Sequence, residues 1–157
     1  ERYGKDLSLK LYGARALMSL RLEKNWGAWT LDFRPDFTAA ESGLDVFINW
    51  NKDFIGKEAS LIEKKQGIKK KLVTMTIDTK DIDVTNDEAI LKDDKCVGYI
   101  TSGGYAHYVK KSMALGYVPE KLSKHETTLE VEINGKLYSA HVTDRPLYDS
   151  NGEKMRM

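Results

Sequence analysis

The chain has 157 residues, with 25 basic and 24 acidic side chains, a formal net charge of +1 and 41% hydrophobic residues. This composition is typical of one globular domain, or of two small ones that share a core, and it excludes a disordered chain. The near balance of charge gives no field that would favour nucleic acid or a membrane surface as a partner.

The first predicted elements lie between residues 7 and 37. Leucines alternate with polar residues over residues 7–11, which predicts a short strand. Gly13 ends that strand, and a helix is predicted over residues 14–24. An ordered loop over residues 25–37 follows, because this stretch contains a glycine and a proline.

The next stretch is predicted to contain two helices and a strand. Thr38 and Glu41 of "TAAE" match a capping box and predict a short helix. "LDVFINW" at 44–50 predicts a strand, and residues 53–67 predict the clearest helix of the chain. The lysine-rich stretch 64–71 is interpreted as a solvated helix end and linker rather than as a phosphate site.

From residue 72 onwards, the hydrophobic period changes to two. Strands are predicted at 71–78, at 112–118 and on both sides of an Asp93-Asp94 turn within 89–102. Residues 128–142 predict a hairpin, whose Asn134-Gly135 matches a type I′ turn. Short strands at this spacing indicate a small antiparallel barrel. The predicted fold class is therefore α+β, with a short α/β segment (1–70) followed by an antiparallel β-barrel (71–157).

Spacing alone reveals no catalytic or metal-binding pattern. The three histidines are far apart, and the acid-rich residues 78–87 lack the glycine and glutamate of a calcium loop, so a solvated connection is predicted there. "TSGGY" at 101–105 is interpreted as a loop with positive backbone angles, or as one that closes over a ligand. Cys96 is predicted to be packed. Because it is the only cysteine of the sequence, an internal disulfide is excluded. No signal peptide or membrane span is visible, so a reducing, cytoplasmic location is expected.

The stretch "SLRLEKNWGAWTLDF" (19–33) stands apart, because it combines a charged pair with two tryptophans at a helix end. In one interpretation, Arg21 pairs with a carboxylate, and Trp26 and Trp29 cover the helix. In the other, the Arg21 guanidinium holds an anionic or planar group and a tryptophan stacks on a flat ring. These residues alone leave both interpretations open.

Several ordered motifs then point to a family. "GARALMSLRLEKNWGAW", "TAAESGL", "DFIGKEA", "GYITSGGYAHYVKKSMALGYV" and "RPLYDSNGEKMR" follow one another along nearly the whole chain. This order resembles the C-terminal half of the glycine-cleavage T-protein (aminomethyltransferase) superfamily. Within that superfamily, it is most similar to the folate-binding C-terminal region of dimethylglycine and sarcosine dehydrogenases.

The resemblance implies a tetrahydrofolate channel to which this chain contributes its last helix-and-strand segment and its terminal barrel. Arg21 matches the arginine of the family's "RLE" motif, which contacts folate, and Trp29 matches an aromatic that lines the channel. Val46 stands where the family often has an aromatic that packs on folate, and Phe47 follows it. Trp26 stays with the packing interpretation. A C-terminal residue near the folate tail is not assigned between Lys154 and Arg156.

The resemblance also implies partners outside this stretch. The chain begins at Glu1 without an initiator methionine, which predicts a part of a longer protein. The family's catalytic aspartate and pterin-gripping glutamate would lie upstream, as would an FAD domain in the dehydrogenases, so no catalytic residue is assigned here. Three functions remain open: the folate-binding part of a demethylating dehydrogenase, part of a T-protein aminomethyltransferase or related demethylase, and a binding module without chemistry.

Overall fold

The computed structural model describes residues 3–154 and 156, so the outer limits of the two predicted domains, at residues 1 and 157, lie outside it. Within that part of the chain, two helices precede six strands. They are α1 (Ala14–Glu23), α2 (Lys57–Gln66), β1 (Lys70–Ile77), β2 (Ala89–Lys92), β3 (Lys95–Ala106), β4 (Lys111–Pro119), β5 (Thr128–Ile133) and β6 (Lys136–Thr143). The predicted class, a short helical segment followed by an antiparallel barrel, is confirmed.

The six strands form a closed barrel in the order β1-β4-β3-β2-β5-β6, with β6 pairing back onto β1. All these pairings are antiparallel. Side chains alternate between buried and more exposed along β5, whereas β1 and β4 contain continuous buried runs, and the inward-facing side chains fill the interior. The fully buried ones include Met75, Ile90, Ile100, Val118, Val131 and Ala140. Burial of these apolar side chains is the main favourable term that holds the barrel together.

Two tight turns set the register of their hairpins. Asn134 and Gly135 have φ of 49° and 75°, so both central residues are left-handed, as a type I′ turn requires. Asp93 and Asp94, with φ of 52° and 59°, form the equivalent turn between β2 and β3. Both turns occupy the predicted positions, because short polar residues and glycine tolerate positive φ.

Two of the predicted strands in the first part of the chain are wrong. Residues 7–11 form no strand, a 3₁₀ turn covers Lys5–Leu7, and the alternating leucines are largely exposed. "LDVFINW" contains a 3₁₀ turn at Asp45–Phe47 instead of a strand. The six paired strands close the barrel on themselves and leave no free edge, so an isolated alternating stretch finds no partner there.

The predicted helix at residues 38–41 is a single turn that does not continue. Its capping box is nevertheless present: the Glu41 amide donates to Thr38 Oγ1 at 3.1 Å, and the Thr38 amide donates to Glu41 Oε2 at 3.2 Å. Glu41 Oε1 also accepts the Lys70 amide at 3.1 Å. The motif therefore joins this turn to the start of β1 instead of starting a helix.

Three predictions about the barrel part are corrected. "TSGGY" lies inside β3 and is not a loop, and Gly103 approaches the backbone of Val84 too closely for a side chain. Val84 is itself fully buried, so the 78–87 connection contributes to the core and is not wholly solvated. Cys96 is exposed, because it precedes the part of β3 whose side chains are covered.

Candidate functional site

Helix α1 ends in a motif that fixes the direction of the loop behind it. The Trp26 amide donates to the Arg21 carbonyl at 2.9 Å, and the Asn25 amide donates to the Leu22 carbonyl at 3.0 Å. Asn25 has φ of 56° and occupies the left-handed position that follows the C-cap, Lys24. This is a Schellman ending, with asparagine in the place where glycine is most common. The Trp26 side chain is 53% exposed, so its ring is covered only in part, and it is the Trp26 backbone amide that closes the helix.

Arg21 points inward from the last turn of α1 and is only 7% exposed. Its Nη1 donates to Asp32 Oδ2 at 2.7 Å and to the Trp26 carbonyl at 3.2 Å. Its Nε lies 3.3 Å from the Met18 sulfur. Nη2 is buried and has no hydrogen-bond partner. The guanidinium therefore holds the loop that follows α1 through Trp26 and Asp32, while its Nη2 group donates no hydrogen bond.

Asp32 is fully buried and is the centre of this network. Its Oδ2 accepts the Ala28 amide at 2.7 Å in addition to Arg21, and its Oδ1 accepts the hydroxyls of Thr101 at 2.5 Å and Ser102 at 2.7 Å. A carboxylate with four donors and an opposite charge is well compensated for its burial. The sequence analysis considered a carboxylate partner for Arg21 but did not identify Asp32, although it lies in the stretch 19–33.

A bulge in β3 lets two consecutive hydroxyls reach the same oxygen. In the pairing with β4, Ile100 faces Gly116 and Ser102 faces Leu115, so Thr101 is an extra residue. Successive side chains of a regular strand point to opposite faces, and a bulge changes this locally. Thr101 and Ser102 belong to the "TSGGY" motif, whose role in this structure is therefore to bind Asp32.

Tyr117 adds a second contact between the barrel and this loop. Its hydroxyl donates to the Asp32 carbonyl at 3.0 Å and lies 2.7 Å from Ser42 Oγ. Its ring stacks on Phe37 with centroids 3.5 Å apart and an angle of 8° between planes. Burial raises the pKa of the Tyr117 phenol above its ordinary value, with the Asp32 charge adding to the shift and the Ser42 hydrogen bond opposing it.

Glu23 completes the inward-facing "RLE" triplet. It is 1% exposed, and its Oε1 accepts the Tyr108 amide at 2.7 Å in the turn between β3 and β4. Leu22, between the two charged residues, is also buried. Glu23 thus connects the end of α1 directly to the turn between β3 and β4, whereas Arg21 is connected to the barrel through Asp32.

The structure places Trp29 beside an aromatic cleft. The Trp29 ring is 77% exposed and stands edge-on to Phe33, with centroids 5.6 Å apart and an angle of 69° between planes. Both residues line a cleft of about 820 Å³, together with Phe37, Arg34 and the 38–44 turn. A cleft with three aromatic rings and one guanidinium suits a flat ring that carries negative charge.

Val46 lies in a different cleft. Its side chain is 77% exposed, and with Phe47 and Trp26 it lines a space of about 800 Å³ against the barrel. Phe33, Ser42 and Leu44 line both clefts. The three predicted residues are therefore not gathered in one cavity: Trp29 and Val46 occupy adjacent clefts, and Arg21 is buried without lining either of them.

Residues 3–62 leave many apolar side chains in solvent, in contrast to the filled barrel. The exposed ones include Leu7, Leu9, Leu11, Tyr12, Leu17, Leu20, Phe47, Ile55 and Ile62.

The two α-helices have 10 residues each, and no helix in the described ranges is long and apolar enough to cross a membrane. No group of three histidine, cysteine, aspartate or glutamate side chains suited to a metal ion occurs between residues 3 and 154.

Comparison with known proteins gives the family. The family model of the glycine cleavage T-protein C-terminal barrel domain matches residues 70–149, and that of the GCVT N-terminal domain matches residues 2–52. The chain is 40% identical to human mitochondrial dimethylglycine dehydrogenase over 146 residues, which cover 92% of this chain and 17% of that protein. It is 36% identical to the aminomethyltransferase of Synechocystis sp. over 140 residues, which cover 88% of this chain and 37% of that protein.

A solved structure has the same fold. The crystal structure of the glycine cleavage system aminomethyltransferase T from Bartonella henselae superposes with a TM-score of 0.86 at 24% identity. That match covers 94% of this chain and 42% of the other. The chain thus spans less than half the length of each of these relatives. Both the sequence of this chain and its fold, a helical segment followed by a barrel, match those of the family. The chain belongs to the glycine cleavage T-protein family.

Proposed function

We propose that this chain forms part of the tetrahydrofolate site of an enzyme similar to dimethylglycine dehydrogenase. The observation that carries the proposal is the aromatic cleft at Trp29, which lies on the loop held by Arg21 and Asp32. The cleft offers Trp29, Phe33 and Phe37 to a planar ring, and Arg34 to a charged group. In such an enzyme, a bound tetrahydrofolate accepts the one-carbon unit released by oxidation of an N-methyl amine.

The residues present fit such a ligand in two respects. Trp29 exposes most of its surface beside the cleft, so a stacked ring would cover apolar area that is now in water. Arg34 also lines the cleft, so its guanidinium can hold a negatively charged part of the ligand, whereas Arg21 lies behind the cleft and holds the loop. The part of this chain in the reaction is to bind and orient, and orientation alone makes a large contribution to a transfer between two bound groups.

A tryptophan pair provides the test. Trp29→Ala should raise the Kd of the protein for 5-formyltetrahydrofolate about tenfold or more, because a stacked ring contributes roughly 1–3 kcal/mol. Trp26→Ala is the matched control, since the Trp26 side chain is also exposed, at 53% against 77% for Trp29, but lies in the adjacent cleft. Calorimetry that finds equal affinities for the two variants would refute the role of Trp29. Arg21→Ala is less informative, because it also leaves Asp32 buried without its counter-charge.

The exposed apolar side chains of residues 3–62 support a second part of the proposal. We infer that an upstream part of the same polypeptide, carrying the catalytic groups and an FAD domain, covers them. Apolar area of this extent is usually covered by another surface. In the longer protein, amides of residues 14–23 should exchange more slowly with solvent than in this chain alone. Equal exchange in the two proteins would contradict the contact.

The alternative within the same family is part of an aminomethyltransferase, which is supported by the 36% identity to the Synechocystis protein. An FAD-binding sequence upstream in the same gene would favour the dehydrogenase, and its absence the aminomethyltransferase. A binding module without chemistry would lack the upstream catalytic aspartate.

A further inference from the structure

Residues 148–154, which we name the C-terminal clasp, lie against the end of α1. The Tyr148 amide donates to the Glu23 carbonyl at 3.1 Å. Lys24 Nζ donates to the Asp149 carbonyl at 2.7 Å and to Asp149 Oδ2 at 3.2 Å. The clasp therefore binds the last residue of α1 and its C-cap, although more than 120 positions separate the partners in sequence.

The same segment also contacts the turn between β3 and β4. The Tyr148 ring stands edge-on to Tyr108, with centroids 4.6 Å apart and an angle of 75° between planes. Lys154 Nζ lies 4.9 Å from the Tyr148 centroid and 5.6 Å from that of Tyr108. Since the Tyr108 amide bonds to Glu23 Oε1, helix end, turn and clasp all meet at Glu23.

The ion pair of the clasp differs from the surface pairs of this chain. The Lys24 and Asp149 side chains are 14% and 7% exposed, whereas those of Lys57 and Asp53 are 27% and 105% exposed. Asp149 Oδ1 also accepts the Glu153 amide at 2.9 Å, so a hydrogen bond within the clasp helps to orient the carboxylate towards Lys24. A covered and preoriented pair fixes position much better than a solvated one.

The end of α1 is connected in turn to the candidate site. Lys24 is the C-cap, and the two residues after it close the Schellman ending. The carbonyl of the second, Trp26, accepts Arg21 Nη1, and the Ala28 amide bonds to Asp32. A displacement of the C-cap therefore moves both hydrogen bonds that orient the loop bearing Trp29.

We propose that Lys24 and Asp149 are positioning residues, through which the C-terminal clasp sets the geometry of the Arg21–Asp32 network and of the Trp29 loop. The effect on ligand binding rests on the proposed folate site, whereas the effect on the loop does not. Within the part of the chain that the structure describes, the hydrogen bonds, ion pair and ring contacts that join the clasp to the preceding residues go to the end of α1 and to Tyr108, and none goes to a residue that lines the Trp29 cleft. The influence of the clasp therefore passes through the helix end.

The test uses hydrogen exchange and folate affinity in the protein that carries this chain. Lys24→Met and Asp149→Asn should each speed exchange of the Ala28 and Tyr108 amides about tenfold by opening the structure locally. Amides of the β5–β6 hairpin should keep their rates. Both variants should raise the Kd for 5-formyltetrahydrofolate about fivefold, which is typical of coupling through one packed element. Lys24→Arg keeps the charge and donors and should restore both values.

Asp53→Asn, in the exposed pair with Lys57, is the matched control and should change neither readout. Unchanged Ala28 exchange in Lys24→Met and Asp149→Asn would overturn the proposal. So would equal acceleration of all amides, since that reports lost global stability, or a Lys24→Arg variant that behaves like Lys24→Met. If the unaltered protein does not bind the folate, the proposed function fails, and the exchange rates still decide the role of the clasp.

Discussion

Replacing Asp32 by asparagine should destabilise the protein more than any other change of a single charge described above. Asp32 is fully buried, and its carboxylate accepts four hydrogen bonds, one of them from the buried Arg21. The asparagine oxygen can face the Arg21 and Ala28 donors while its NH₂ group donates to the two hydroxyls, but the negative charge that compensates the buried Arg21 is lost. Breaking a buried pair in this way costs about 3–5 kcal/mol, which is a large part of the roughly 5–15 kcal/mol of a typical domain.

Urea denaturation followed by circular dichroism measures this loss as a change in the free energy of unfolding. Asp36→Asn is the matched control, because the Arg34–Asp36 side chains are 40% and 56% exposed and such a pair contributes about 0–1 kcal/mol. If Asp32→Asn yields too little folded protein, Thr101→Val removes a single donor to the same carboxylate and should cost about 1–3 kcal/mol. A loss below 1 kcal/mol for Asp32→Asn, or one equal to that of Asp36→Asn, would refute the central role of Asp32.

Two further predictions concern backbone space and acid. Gly98→Ala should lower the free energy of unfolding by about 2 kcal/mol or more, because the new methyl group would overlap the Tyr117 carbonyl oxygen. Gly13→Ala is the control: its methyl group meets no atom within 4 Å, so this variant should be nearly neutral. Similar melting temperatures for the two variants would contradict the prediction. Burial alone would raise the pKa of Asp149, but hydrogen bonds from a backbone amide and from Lys24, with the lysine charge, outweigh it and lower that pKa. The clasp should therefore be intact at neutral pH and open only as the pH falls through this lowered pKa. Hydrogen exchange of the amides that the clasp covers should show no opening between pH 5 and 7, because this range lies above the ordinary aspartate pKa of about 4.

The barrel could be predicted because its signals are local. Asn134-Gly135 and Asp93-Asp94 lie between alternating strands, and each pair adopts the positive φ values that its residue types favour. The alternation at residues 7–11 carries the same local signal, but strand formation also needs a neighbour, and local sequence does not show whether a neighbour exists. The capping box at Thr38 and Glu41 likewise formed its two hydrogen bonds without starting a helix.

The site was less accessible to prediction, because it depends on contacts between distant parts of the chain. Arg21 attracted notice as a charge at a helix end, but its partner Asp32 is recognisable only once the loop is folded. Thr101 and Ser102 face Asp32 because of a bulge, and no simple sequence pattern marks that bulge. The exposure of Trp29 beside an aromatic cleft agrees with the residue singled out by resemblance, and its role in binding stays a prediction.

The Asp32 carboxylate has a consequence for how this chain can be recombined. Asp32 lies in the range matched by one family model, whereas Thr101, Ser102 and Tyr117 lie in the range matched by the other. A chimera that took its barrel from one relative and its helical segment from another would inherit half of this contact from each parent. Such hybrids should fold well only when the hydroxyls of the barrel and the aspartate of the segment are both present, so the two ranges are exchangeable as a pair and not singly.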